Sequence, residues 1–260
     1  MSGSIFTRFA ALDMPPRIDE EEYIDDPAQP YEDLRQSMTD VQHANRYLGG
    51  TAVVSRQADS WLRSAKSDST GSSTVITILD VATGSGDLPK AIQQKAQLMG
   101  VSVHIIGLDY SEPILKFASE PKQAGGRSGI RLLRGDAFHL PFQDASIDYV
   151  VCSLAFHHFG LEGSILALRE MERVARLGWL VNDLRRAWSA WYLFRAVSAL
   201  AKMNRMTRHD GPASVLRAYT LAEYRLMAEA LALTEGIDYS VRSSLWYRVA
   251  LVGKKRARSL

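Results

Sequence analysis

The sequence predicts an α/β fold in which helices cover both faces of a doubly wound, mostly parallel sheet. Apolar runs of strand length at residues 75–81, 103–109 and 178–184 alternate with segments of helical periodicity. Such continuous runs are typical of strands buried on both faces, and the alternation favours a parallel sheet. A chain of 260 residues that is 46% hydrophobic and 23% charged can bury the core that this fold needs.

Before the first strand, residues 1–70 are predicted to form an extension and a helical cap. Residues 1–30 combine prolines with many acids, so we expect an irregular start. Helix-like spacing over residues 31–62 is interrupted at Gly49 and Gly50, which predicts two helices. Residues 66–74 form a polar linker into a second domain, residues 71–260.

The first strand runs into Asp80, and the chain then turns on Gly84 and Gly86 before a helix-like segment at residues 88–99. Glycine lets the backbone turn tightly and approach a ligand without an intervening Cβ. The N-terminus of the following helix supplies free N–H groups. These features predict a nucleotide-binding turn.

Two residues argue against a nicotinamide dinucleotide as the ligand. The dinucleotide fingerprint has a third glycine three positions after the second, and this chain has Pro89 there. Asp87 also places a negative charge at the helix N-terminus, where a pyrophosphate would bind. A nucleoside with a cationic group fits better, and S-adenosyl-L-methionine is such a ligand.

The next two strands end in further carboxylates. Asp109 ends the run of residues 103–109, where an acidic side chain can accept hydrogen bonds from both ribose hydroxyls. A third strand leads from Arg131 into Asp136 and Ala137. We expect the carboxylate to accept from an adenine amino group and the Ala137 N–H to donate to the ring.

These motifs together resemble those of class I S-adenosylmethionine-dependent methyltransferases, especially the ubiquinone/menaquinone-type and secondary-metabolism branch. The matching segments are residues 80–87, Asp109, residues 135–137, and residues 140–142 with 148–150. The chain departs from the family's glycine motif at Ala82, which replaces the first glycine, and at Asp87. The resemblance implies a Rossmann-like, seven-stranded sheet with a C-terminal antiparallel hairpin, and an N-terminal helix pair over the cofactor. It implies cofactor contacts from Asp80, Ala82, Gly84, Gly86, Asp109, Tyr110, Asp136, Ala137 and Ser153.

The later elements follow in order. A fourth strand closes at Ser153, residues 163–177 have helical periodicity, and the fifth strand ends near Asp183. Residues 206–212 are expected to form a turn, Thr220 and Glu223 have capping-box spacing, and the hairpin is expected around residues 235–240 and 245–252.

An aromatic segment at residues 187–206 lies within a predicted lid insertion, about residues 186–215. It could pack on the core or on a dimer partner, cover an apolar acceptor pocket, or contact a membrane interface. As a lid it would place Trp188 and Trp191 against the acceptor, with Asp183 at the same crevice.

A general base would assist transfer to a hydroxyl or an activated ring carbon, and histidine suits that role near neutral pH. His157 and His158 follow the fourth strand, and His209 follows the aromatic segment. The order of preference is His158, His157, then His209, and each also has an ordinary structural interpretation.

Composition excludes several other classes. A net charge of +2 is too small to favour nucleic acid, and the basic residues 254–258 are interpreted as a solvated terminus. The single Cys152 excludes an intramolecular disulfide and a cysteine-based zinc site, and no metal is expected. No secretion signal or uncharged run of bilayer-spanning length is present, so a cytoplasmic protein without a membrane span is expected.

The sequence thus predicts a methyltransferase for a small, largely apolar acceptor: an aromatic, polyketide-derived or quinone-like ring. Methylation of oxygen or carbon and a homodimer both stay open. The rival interpretations are an NAD(P)-binding oxidoreductase and a cofactor-binding but inactive partner subunit.

Overall fold

The computed structural model describes residues 14–68, 75–120, 130–235 and 238–255. It contains the predicted sheet, with helices on both faces. The strands are β1 Ile76–Val81, β2 Val103–Asp109, β3 Ile130–Arg134, β4 Ile147–Ser153, β5 Ala175–Leu184, β6 Asp238–Ser244 and β7 Arg248–Lys254. The helices are α1 Tyr31–Tyr47, α2 Gly50–Asp68, α3 Asp87–Met99, α4 Glu112–Ser119, α5 Leu161–Val174, α6 Trp188–Leu200, α7 Arg205–Arg217 and α8 Leu221–Glu235.

The sheet has the strand order β3-β2-β1-β4-β5-β7-β6. The first five strands of that order pair in parallel, whereas β7 pairs antiparallel with both β5 and β6. Strand order reverses between β1 and β4, and ligands of open α/β sheets bind beyond the carboxyl strand ends at such a point. The predicted seven-stranded fold and its C-terminal antiparallel hairpin are confirmed.

Apolar side chains fill both faces of the sheet. On one face, Trp61 of α2 stacks on Tyr149 of β4 with ring centroids 4.4 Å apart. On the other, Trp179 of β5 is fully buried and its Nε1 donates to Glu172 of α5 at 2.6 Å. Because both faces are covered, the crevice at the carboxyl strand ends is the natural place for a ligand.

Two predicted boundaries are wrong. Residues 175–177 belong to β5 and not to the preceding helix. The expected turn at residues 206–212 lies inside α7, which includes Pro212. Asn204 caps this helix by accepting from the Met206 N–H at 2.8 Å, and burial of α7 against its neighbours outweighs the hydrogen bond that the proline forgoes.

Other predictions are confirmed. The break at Gly49 separates α1 from α2, and this glycine has a φ of +81°. Thr220 and Glu223 form a reciprocal capping box, since the Thr220 N–H donates to Glu223 Oε2 at 2.6 Å and the Glu223 N–H donates to Thr220 Oγ1 at 3.2 Å.

Parts of the predicted N-terminal extension (residues 1–13), linker (69–74) and basic terminus (256–260) lie outside the described residues. Within the described ranges, none of the helices combines the length and the apolar character needed to cross a bilayer.

Candidate active site

The predicted glycine turn lies where β1 meets α3. Ala82, Gly84 and Gly86 all have left-handed φ values, of 54°, 55° and 71°. Ala82 therefore keeps the conformation that glycine would take at this position, at a cost of about 1–2 kcal/mol for its Cβ. Ala82, which stands at the first glycine position of the family motif, is thus left-handed like the two glycines that follow it in the turn.

Asp80 lies under this turn and is 1% exposed. Its Oδ2 accepts a hydrogen bond from the Thr83 hydroxyl at 2.7 Å, whereas its Oδ1 is buried without a partner. The donor is thus a side-chain hydroxyl and not a backbone N–H of the turn. Burial, together with a smaller effect of the nearby carboxylates of Asp87 and Asp109, raises the pKa of Asp80 to about 8.

Asp109 joins the end of β2 to the same turn. Its Oδ2 accepts from the Gly84 N–H at 2.9 Å and its Oδ1 from the Ser111 N–H at 3.0 Å. Burial raises the pKa of Asp109 even though these N–H groups favour its charged form. Each oxygen retains a lone pair, so the carboxylate can also accept from the hydroxyls of a ribose.

Asp87 connects the turn to the helical cap. Its Oδ2 accepts from Asn45 Nδ2 of α1 at 3.1 Å, and its Oδ1 from the Ser85 hydroxyl at 2.8 Å. Burial raises the pKa of Asp87 as well. Within the described chain, none of the carboxylates of Asp80, Asp87 and Asp109 forms an ion pair, so this half of the crevice suits a ligand with a positive charge.

The remaining predicted cofactor residues line the crevice less uniformly. Asp136 Oδ1 accepts from the Phe138 N–H at 2.9 Å, next to Ala137. Ser153, at the end of β4, accepts from Asn182 Nδ2 at 2.7 Å. The Tyr110 side chain is 71% exposed beside Asp109, so it lies at the rim.

His157 and Asp183 form a buried pair across the ends of β4 and β5. His157 Nδ1 lies 2.7 Å from Asp183 Oδ1, and the His157 N–H donates to Asp183 Oδ2 at 3.0 Å. Burial opposes ionisation of Asp183, but His157 holds the pKa of that carboxyl below its usual value. A carboxylate can only accept, so the Nδ1 carries the proton and Nε2 is left as the basic nitrogen. The carboxylate of Asp183, which the sequence assigned to substrate binding, is occupied by His157.

His158 forms a second, more exposed pair. Its Nδ1 lies 2.9 Å from Asp25 Oδ2. Both histidines also face Glu22. His157 Nε2 lies 3.8 Å from Glu22 Oε1, and His158 Nε2 lies 3.8 Å from Glu22 Oε2. Burial raises the pKa of Glu22 to about 7, so this carboxyl exchanges its proton near neutral pH.

Glu22, His157 and His158 present ligand atoms within 4.8 Å of one another, which is close enough for a divalent cation. However, Arg217 Nη1 lies 3.7 Å from Glu22 and 3.4 Å from Asp25. A second cation in this space would be repelled by that guanidinium. The arrangement is better suited to sharing protons than to holding a metal.

His209 lies in α7 and is held by other groups. Its ring stacks on Tyr23 with centroids 3.9 Å apart, and its Nδ1 lies 2.9 Å from Asp210 Oδ1. Asp210 also accepts from the N–H groups of Tyr23 and Ile24 at 2.8 and 3.0 Å. His209 therefore supports the segment that carries Glu22, which is a positioning role.

The aromatic helix α6 borders an apolar cleft. Ala190, Leu193 and Phe194 line the cleft, and Trp188 and Trp191 are not among its lining residues. The two tryptophan rings pack edge to face on each other with centroids 5.9 Å apart.

Sequence reasoning missed the residues that surround the histidines: Glu22, Asp25, Ser214 and Arg217. Ser214 Oγ donates to Glu22 Oε2 at 2.8 Å, so α7 and the N-terminal segment meet at this point. Acids scattered among prolines show no periodicity, and the position of the segment over the site is seen only from tertiary contacts, such as the hydrogen bonds that Tyr23 and Ile24 N–H groups donate to Asp210.

Residues 78–178 match the family model described as a methyltransferase domain. The demethylmenaquinone methyltransferase of Staphylococcus aureus (strain JH9) is 32% identical over 122 residues, which make up 47% of this chain and 48% of that protein. The chain thus spans about half the length of the curated relatives it matches.

Two solved structures show the same fold. The plantazolicin methyltransferase BpumL in complex with SAH is 16% identical with a TM-score of 0.63, covering 89% of this chain and 92% of its own. The magnesium protoporphyrin IX methyltransferase of Synechocystis PCC 6803 with bound SAH is 16% identical with a TM-score of 0.50, covering 78% and 83%. At these identities the likeness concerns the fold.

Proposed function

We propose that this chain, which carries a methyltransferase domain and has the class I methyltransferase fold, transfers a methyl group from S-adenosylmethionine to a small, largely apolar acceptor. The observation that carries the proposal is the crevice at the carboxyl strand ends. One side holds the buried carboxylates of Asp80 and Asp109 and the half-buried carboxylate of Asp87 around the glycine turn, and the other holds the His157–Asp183 pair.

The cofactor half fits the proposed ligand in charge and shape. Asp109 would accept from the ribose hydroxyls, and Asp136 with the Ala137 N–H would hold the adenine. The unpartnered Oδ1 of Asp80 is a buried acceptor next to the turn, where the positively charged end of the cofactor would remove the cost of ionising it. The SAH bound to the two structural neighbours supports the same assignment.

When bound, S-adenosylmethionine supplies an electrophilic methyl carbon on a sulfonium. The protein's task is to hold the acceptor in line with that carbon, and such positioning can lower a barrier by about 7–11 kcal/mol. We assign the general base to His157, because Asp183 fixes its Nδ1–H and leaves Nε2 free to take the acceptor's proton. Glu22, 3.8 Å from that nitrogen, is placed to receive the proton next.

The acceptor class is supported by the apolar cleft under α6 and by the name of the Staphylococcus relative, a demethylmenaquinone methyltransferase. A ring with a hydroxyl or an activated carbon would use both the cleft and the base. Asp87 is a half-buried carboxylate at the N-terminus of α3, which disfavours the pyrophosphate of an NAD(P)-dependent oxidoreductase.

Calorimetric titration of the purified chain with S-adenosylmethionine, SAH and NADH tests the cofactor. We expect saturable binding of the first two and none of NADH; the reverse would make the chain an oxidoreductase. Transfer of a labelled methyl group to a panel of phenols, hydroxyquinones and neutral controls tests the reaction. Cofactor binding without transfer to any acceptor would support the inactive partner subunit instead.

A further inference from the structure

An apolar cleft lies between the aromatic helix α6 and the turn that leads into β7. Its apolar lining includes Leu184, Leu193, Phe194, Val215 and Tyr247. Leu184 directly follows Asp183, the partner of the proposed base. The cleft therefore lies at the carboxyl end of the strand that carries Asp183, although neighbouring side chains of a strand point to opposite faces of the sheet.

The cleft contains a buried guanidinium that forms no direct ion pair in the described part of the chain, although the carboxylates of Asp183 and Asp87 favour its charged form from farther away. Arg248 is 2% exposed, and its Nε donates to the Leu48 carbonyl at 3.1 Å. Its Nη1 is buried without a hydrogen-bond partner, and no ion pair to Arg248 occurs within the described ranges. Burial lowers the pKa of Arg248 to about 10. A buried cation without a partner is costly, and proteins normally pair one.

A second arginine lines the same cleft. The Arg185 guanidinium lies over the Tyr247 ring, 5.2 Å from its centroid, and its Nε is buried without a hydrogen-bond partner. The Arg185 N–H donates to the Tyr247 carbonyl at 2.7 Å, which ties the two chain segments together. Two arginines with a guanidinium nitrogen that has no hydrogen-bond partner thus line one mostly apolar cleft.

The turn before β7 adopts a strained conformation that brings these groups to the cleft. Trp246 and Tyr247 have φ values of 61° and 56°, although neither is a glycine. Each such residue costs about 1–3 kcal/mol, and conformations of this kind persist where the surroundings enforce them, often at binding sites. Here they place Tyr247 and Arg248 next to each other in the lining.

We propose that the cleft, whose free volume is about 30 Å³, binds the carboxylate end of an acceptor between Arg185 and Arg248, with the adjoining part of its apolar body against Leu193, Phe194 and Tyr247. Planar guanidinium groups match carboxylate geometry and form charge-assisted bidentate hydrogen bonds. The inference rests on the proposed function, which supplies the acceptor's role, and it names the acceptor's chemical class.

The test compares matched ligands by calorimetry in the absence of cofactor. The probes are 4-hydroxybenzoate and decanoate, each against its neutral amide, and inorganic phosphate. We expect at least one carboxylate to bind at least about tenfold more tightly than its amide, the ratio that a single charged hydrogen bond produces. Equal affinity within both pairs, or phosphate binding as tightly as the carboxylates, would overturn the proposal.

Variants locate the effect. Arg185→Met and Arg248→Met should each remove the preference for the carboxylate, whereas Arg195→Met should keep it. Arg195 is an exposed cation on α6. Its guanidinium packs over Trp191, and it does not line the cleft. A preference retained in both cleft variants would contradict the assignment.

Thermal unfolding separates a binding role from a structural one. Loss of an unpaired buried charge should leave the melting temperature of Arg248→Met at or above that of the unmodified protein, and carboxylate should no longer raise it. A large fall in melting temperature, with the preference intact in Arg185→Met, would make Arg248 structural and overturn the site.

SAH binding distinguishes the two possible sources of a carboxylate, because the cofactor carries one as well. Both cleft variants should bind SAH as the unmodified protein does. Loss of SAH binding in Arg248→Met would assign this arginine to the cofactor and overturn the proposal.

Carboxylate binding without methyl transfer would refute the proposed function alone, and methyl transfer only to neutral acceptors would refute this inference alone.

Discussion

His157 Nδ1 and Asp183 Oδ1 lie 2.7 Å apart, at the ends of two adjacent parallel strands, and both side chains are buried. Asp183 also accepts the backbone N–H of His157, so one carboxylate fixes both the ring and the chain that carries it. Asp183 thus fixes the tautomer of His157. The corresponding partner of His158 is Asp25, which is more exposed to solvent than Asp183. The geometry thus gives stronger support to His157 than to the His158 that the sequence favoured.

The first prediction concerns this pair. Asp183→Asn keeps the side-chain volume but removes the charge that orients His157. We expect kcat to fall by about 10² or more, the lower figure for a lost general base, while the dissociation constant of SAH is unchanged. Steady-state methyl transfer and calorimetry measure the two quantities.

Asp25→Asn is the matched control, because it makes the same change beside His158. Its kcat should fall much less than that of Asp183→Asn. A larger loss in the Asp25 variant would transfer the base to His158, and full activity in both would mean that positioning alone suffices.

A second prediction follows from Asp80. Its folded-state pKa of about 8 lies above its value in the unfolded chain, so folding favours the neutral carboxyl. The free energy of unfolding therefore decreases as pH rises towards 8. A cationic ligand favours the ionised form, so the affinity for S-adenosylmethionine should increase from pH 6 to 8 and then level off. Each pH unit can contribute at most about tenfold.

Asp80→Asn should flatten this pH dependence and weaken binding at pH 8 more than at pH 6. Asp87 and Asp109 titrate in the same crevice, so the difference between the variant and the unmodified protein isolates Asp80. An unchanged pH profile in Asp80→Asn would place the cofactor's charge away from this carboxylate.

The third prediction tests the ribose contact. Asp109→Ala should weaken SAH binding by about 1.5–3 kcal/mol, the range for hydrogen bonds to a charged group. Asp144→Ala, which removes a largely exposed carboxylate elsewhere, serves as the control and should bind normally. If Asp109→Ala folds and keeps its affinity, Asp109 does not contact the cofactor.

Gly86 provides a fourth prediction. Its φ of 71° is a conformation that a β-branched residue strongly disfavours, and it lies where the backbone would approach the cofactor. Gly86→Val should abolish SAH binding and leave a folded domain, as circular dichroism would show. Normal binding by this variant would mean that the turn is not the nucleotide site.

The sequence predicted the cofactor half better than the acceptor half for a physical reason. Asp80, the glycines and Asp109 lie at or next to the ends of strands that continuous apolar runs identify. The sequence around these residues therefore also predicts where they lie in the fold. The acceptor half depends on contacts between distant segments, such as Ser214 with Glu22. No local periodicity encodes such a contact.

The error at α7 has a related cause. Gly211 and Pro212 are typical of turns, yet the helix continues through both. The reason lies in packing, because a Cβ on Gly211 would lie 1.8 Å from Phe194 Cε1. The glycine is required by the closeness of α6 and not by its own backbone conformation.

That contact leads to the last prediction. Gly211→Ala adds a favoured helix residue, worth about 1 kcal/mol, but its methyl group would displace the Phe194 ring that lines the cleft. We expect a higher KM for the acceptor with kcat nearly unchanged, because apolar contacts bind substrate and transition state alike. Phe194→Ala should raise KM in the same way, whereas Trp188→Ala, outside the cleft lining, should not.

The double variant separates the two effects of this substitution. With Phe194 truncated to alanine, the clash is absent, so adding Gly211→Ala should raise the free energy of unfolding and leave KM where Phe194→Ala put it. Such non-additivity is expected only for residues in direct contact. Additive changes, or an acceptor KM that responds to Trp188→Ala and not to Phe194→Ala, would move the acceptor from this cleft to the tryptophan face that the sequence suggested.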